Sequence, residues 1–74
     1  MQYTVRLSLD SYRNAPEILW DTFATIINVR AVSRRHALDK ALAKAPETFR
    51  TVYYRAAFPD VWTLTPSAQI ISEG

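Results

Sequence analysis

The chain has 74 residues, a net charge of +2 and 49% hydrophobic residues, with no Cys, one His and a single Gly at position 74. These counts exclude disulfide frameworks, thiolate metal sites, iron–sulfur clusters, cysteine nucleophiles and Gly-rich phosphate loops. They fit one small domain over residues 1–74, which buries only roughly 60% of the surface of its unfolded chain, so self-association or a larger partner is the expected support.

Residues 3–9 alternate, with Val5, Leu7 and Leu9 on one side and Thr4, Arg6 and Ser8 on the other. This pattern predicts a half-buried strand. Residues 10–17 are rich in turn formers and predict a loop. Residues 18–32 are rich in β-branched and aromatic types. Phe23, Thr25, Ile27, Val29 and Ala31 share one face; Ala24, Ile26, Asn28, Arg30 and Val32 share the other. The two strands are expected to pair antiparallel. A straight strand over 20–32 would span about 43 Å at 3.3 Å per residue, against a diameter near 30 Å for a round domain of this size. The strand must therefore bend, bulge or project. The adjacent Ile26 and Ile27 are the candidate bulge, and a helical turn over 16–23 is the alternative.

Ser33 is a good N-cap, and Ala37, Leu38, Ala41, Leu42 and Ala45 follow at helical spacing. Lys40 and Lys44 suit the helix C-terminus, and Pro46 is expected to stop it. Over 47–58 the helical set Phe49, Val52, Tyr53, Ala56 and Ala57 competes with the alternating set Val52, Tyr54, Ala56 and Phe58. The helical set is the fuller match, and Pro59 would end that helix. Residues 61–64 predict a strand. Pro66 marks an edge, a bulge or a turn, and residues 65–68 suit a type I turn. Residues 69–72 continue that strand or return as another. The expected fold class is α+β, a small antiparallel sheet in the order β-β-α-(α)-β with one or two helices packed on one face.

Charge is unevenly spread: −1 over residues 1–29, +5 over 30–55 and −2 over 56–74. The candidate anion or partner-binding residues are Arg30, Ser33, Arg34, Arg35, Arg50 and Arg55. Arg34, Arg35 and His36 place cations where the helix dipole disfavours them. Either an anion sits there, held by first-turn N–H groups, Ser33 and the guanidinium groups, or the arginines pair with Glu17, Asp21 or Asp60. His36 with Asp39 three residues on is the only His–carboxylate combination, and it reads as surface. Glu17 and Asp21 would adjoin only on a helix. No catalytic residue, metal ligand or cofactor is expected, and the chain reads as a non-enzyme. Tyr12, Trp20, Tyr54 and Trp62 are candidate interface aromatics, because Tyr, Trp and Arg together make up interface centres.

No apolar run approaches the roughly 20 residues that span a bilayer. The N-terminus lacks a basic leader with an apolar stretch, so a cytoplasmic location without a membrane partner is expected. Residues 23–44 run a strand into Val29-Arg30-Ala31-Val32-Ser33 and then Ala37-Leu38-Asp39-Lys40-Ala41-Leu42. This join resembles the strand-to-capped-helix join of small uncharacterised bacteriophage accessory proteins, over about a third of the chain. The resemblance implies a compact phage product that binds a host protein, and implies no active residues. The functional expectation is a protein–protein interaction module, self-associating or host-directed. The alternative is nucleic-acid binding by the basic segment 30–55.

Overall fold

The computed structural model describes residues 1–13, 20–56 and 62–74, with only the backbone of Arg13 and Trp20. Its elements are β1 (Gln2–Arg13), β2 (Trp20–Arg30), α1 (Arg34–Ala43), α2 (Ala45–Thr48), α3 (Arg50–Ala56) and β3 (Trp62–Glu73). The sheet is antiparallel throughout in the order β2-β1-β3. The two outer strands are therefore parallel to each other, and the helical segment crosses β1 on one face to join them. The α+β class holds, with three short helices.

Alternation in β1 sends Tyr3, Val5, Leu7, Leu9 and Ser11 into the core. Two core clusters lie end to end beneath the helices. Val5, Tyr3, Val29 and Ala31 pack under Ala37 and Ala41 of α1. Leu7 and Leu9 pack under Ala45 and Phe49, and Ile27 and Ala68 touch both clusters. The Ala37, Ala41 and Ala45 stripe is fully buried; side chains this small let the helix backbone approach the sheet closely. Ser33 caps α1, its hydroxyl accepting from the His36 N–H at 3.1 Å. α1 ends at Ala43, and Ala45 before Pro46 is itself helical, so the proline does not act by keeping its predecessor extended; it sits in the first turn of α2, where its missing N–H is tolerated. Helix is the outcome over residues 50–56.

Four further expectations need correction. Residues 10–13 are strand, because pairing on both sides outweighs turn propensity: Asp10 lies opposite Thr22 and Thr65, and its carboxylate accepts from the Thr22 hydroxyl at 2.9 Å. The β1–β2 ladder runs unbroken through Ile26 and Ile27; each isoleucine takes its own face, Ile27 inward and Ile26 outward at 62% exposure. The length conflict resolves through shape, since the molecule measures 44 × 17 × 16 Å and the strands run along its long axis. Of the helical alternative over 16–23, residues 20–23 are strand and the remainder lies outside the described residues, as does Glu17.

The fourth correction concerns the type I turn at 65–68: β3 runs on through Pro66, which takes the edge-strand place among its alternatives. The register shift falls between Thr4 and Val5, where β3 carries Ile71 as an extra, exposed residue. Gln2 and Gly74 exchange both backbone hydrogen bonds, at 3.1 and 2.8 Å, so even-numbered β3 residues face β1 beyond the bulge. Before it the phase inverts, and Pro66 opposite Leu9 turns its ring nitrogen outward. The same inversion sends Leu64, Ala68 and Ile70 to the core. Deleting Ile71 would keep Ile70 opposite Val5 and Ser72 opposite Thr4. The expected loss of unfolding free energy is under about 1 kcal/mol by urea titration. Unfolding of the variant would contradict the bulge.

Candidate functional site

The candidate residues divide between the two ends of the long axis. Arg30 closes β2 opposite Gln2, and Ser33, Arg34 and Arg35 follow it at that end. Arg50 and Arg55 lie on α3, beside Phe23 of β2. The +5 segment is thus spread along the molecule instead of forming one patch. At the α1 start, Ser33 is occupied as the cap, and His36 Nδ1 accepts from the Val32 N–H at 3.2 Å. Arg34 Nε lies 3.8 Å from a Glu73 carboxylate oxygen, with both side chains solvent-exposed. The intramolecular partner is Glu73 of β3, brought opposite Tyr3 and so onto the helix side of the sheet. Such an exposed pair contributes about 0–1 kcal/mol.

Among the aromatic candidates, Tyr54 is 75% exposed, whereas Tyr12 and Trp62 are half-buried. The side chain of Trp20 lies outside the described residues. Trp62 joins Ser11, Asp21, Phe23, Val52 and Arg55 around a shallow depression between β2, α3 and β3. Phe23 is more exposed than a core residue, and its ring centroid lies 6.5 Å from that of Phe49. Burial pushes the ionisation of Tyr53 upward, so its hydroxyl stays neutral at physiological pH. Among the described residues no group of three or more His, Asp or Glu side chains is placed to hold a metal ion. No described helix is long and apolar enough to cross a membrane.

The face of the sheet away from the helices is largely polar. Thr4 donates to Asn28 Oδ1 at 3.0 Å, and the Ser8 and Ser67 hydroxyls share a hydrogen bond of 2.7 Å. Arg6 and Ile26 interrupt this hydroxyl surface.

The outer edge of β2 was not singled out by sequence reasoning. Ala31 N–H donates to the Met1 carbonyl at 3.0 Å, so odd-numbered β2 residues bond β1. By alternation, Thr22, Ala24, Ile26 and Asn28 turn their N–H and C=O groups away from the sheet. No described strand lies beyond them. The end of this row is closed by Lys40, whose ammonium donates to the Arg30 carbonyl at 2.6 Å. Residues 23–29, Phe-Ala-Thr-Ile-Ile-Asn-Val, carry no charge, Pro or Gly. The opposite edge, on β3, is interrupted by Pro66. Charges and prolines are the usual guards of an exposed edge, and β2 lacks both over that run. The chain matches no protein-family model, no curated protein and no solved structure.

Proposed function

We propose that the chain is a non-enzymatic protein–protein interaction module, acting as small bacteriophage accessory proteins do when they bind a host protein or one another. The observation that carries this reading is the unguarded edge of β2. It combines outward backbone donors and acceptors that no described strand pairs with two exposed apolar side chains, Phe23 and Ile26, the features that β-strand addition uses. The basic segment supports nucleic-acid binding less well, because its arginines lie at opposite ends of the molecule and Arg34 is already beside Glu73.

Capture from nuclease-treated extract of the native cells tests the reading, alongside titration with mixed-sequence DNA and RNA. The expected result is a protein partner retained after nuclease, and nucleic-acid binding no tighter than the roughly 10⁻⁴–10⁻⁶ M of non-specific contacts. Recovery that disappears with nuclease would overturn it. So would competitor-resistant binding whose log K falls with log salt by several units, at roughly 0.9 per duplex phosphate.

A further inference from the structure

We infer that the free edge of β2 pairs antiparallel with β2 of a second copy across a two-fold axis at Ile26, giving a six-stranded sheet. This rests on the interaction-module reading and names one partner for it. Antiparallel pairing of two copies of one edge places the axis perpendicular to the sheet, so both sets of helices share one face and opposed residues share a side. The outward-facing groups belong to even-numbered residues, so even residues must meet even residues.

One register satisfies the side chains on both faces. On the open face Ile26 meets Ile26 of the second copy, burying the more exposed of the strand's two exposed large apolar side chains. Ala24 then lies opposite Asn28 of the second copy, and Thr22 opposite its Arg30. That arginine reaches past Thr22 toward the Asp10 carboxylate, which the Thr22 hydroxyl already orients at 2.9 Å. On the helix face Phe23 lies opposite Val29 of the second copy, whose side chain α1 already covers, so the apolar gain on this face is that of the exposed Phe23 ring. Asp21 comes opposite Ala31 of the second copy, beside the Lys40 ammonium anchored on the Arg30 carbonyl. Opposite charges thus meet at both ends of the seam on both faces. Sliding one pair in one direction sets Asp21 against Val29; sliding the other way sets Phe23 against Ala31 and forfeits the Arg30–Asp10 approach.

The seam makes about eight main-chain hydrogen bonds, with the Arg30 carbonyl left to Lys40. Its outermost strands are the two copies of β3, whose edges Pro66 interrupts. The assembly therefore closes at two copies and does not propagate into a fibre. A seam this narrow belongs to the small, weaker class of interface, so a dissociation constant of about micromolar is expected.

Sedimentation equilibrium of the full chain from sub-micromolar to hundreds of micromolar concentration is the first test. The expected species has twice the 8.5 kDa protomer mass. Ala24→Pro removes an outward N–H without touching the β1 ladder, and Ile26→Lys sets two ammonium groups together on the axis. Each is expected to raise the dissociation constant by about a hundredfold or more, with the circular dichroism of the folded chain unchanged. The register is read by cysteine cross-linking, which the absence of native Cys makes unambiguous. Ile26→Cys places the two Cα atoms about 5.5 Å apart, within disulfide reach, whereas Ala24→Cys places them well over 7 Å apart. Oxidation should link the first variant and not the second. A chain that stays monomeric, a dimer indifferent to both edge variants, open-ended oligomers, or cross-linking through position 24 would each overturn the inference. A monomer that still captures a protein partner after nuclease would overturn this pairing alone and leave the module reading standing.

Discussion

Leu7→Ala is expected to lower the unfolding free energy by about 3–5 kcal/mol. Leu7 is fully buried at the middle of the central strand, between β2 and β3 and under Ala45 and Phe49. Replacing its isobutyl group by a methyl leaves a cavity that three strands and two helices would have to move together to fill. A chain of this length has a total stability of roughly 4–11 kcal/mol, so the variant would sit near its folding threshold at 25 °C. Urea titration followed by circular dichroism measures the effect. A loss below about 1 kcal/mol would mean that the core at Leu7 relaxes freely, against the packing described above.

Phe49→Ala is expected to cost about 3–5 kcal/mol in total, and to be felt first in one place. Phe49 interrupts the helical segment, with φ −108° and ψ 42° between α2 and α3. Its ring fills the space over Leu7 and Leu9 and approaches Phe23. Helix α3 has seven residues and none is fully buried; it leans on the core through half-buried Val52 and Tyr53. Isolated helices of that length are unstable in water, so Phe49 anchors α3 to the sheet. Hydrogen exchange should show the amides of α3 losing protection before those of β1 and α1. Uniform loss across the chain would show instead that the segment opens only with the whole fold.

Local pattern was a good guide wherever one face of an element decides its fate. Val5, Leu7 and Leu9 alternate because only one side of β1 meets helices, and Ala37, Ala41 and Ala45 recur because α1 lies tight on that side. Ser33 caps as its type and place suggest. Pattern failed where the deciding partner is remote in sequence. Asp10 and Ser11 are turn formers by type, yet strands on both flanks hold them extended. Pro66 is compatible with β3 because β3 is an outer strand and Pro66 falls opposite Leu9, where its ring nitrogen faces away from β1, a register that no local window contains. The charge-free run over 23–29 is visible in the sequence. Its importance is not, because it depends on β2 being an outer strand, and strand order is a property of the whole chain. The arginines illustrate the same point: seven basic residues crowded into 30–55 look like one patch until the helices carry them to opposite ends.

The placement of β1 at the centre of the sheet also bears on the order in which the chain assembles. Of the described strands, β1 is made before the others yet is the last to be completed, because its second neighbour is β3, and Gln2 bonds to Gly74. The β1–β2 pairing closes a short connection and forms on a timescale of about 1–10 μs, as hairpins do. The β1–β3 pairing waits for the helices and for β3 itself, at a synthesis rate of roughly 5–20 residues per second. Through that interval the side of β1 reserved for β3 is an open flank. The even-numbered residues that bond along this flank include Arg6 and Asp10, and such charges are the usual guards of an exposed edge.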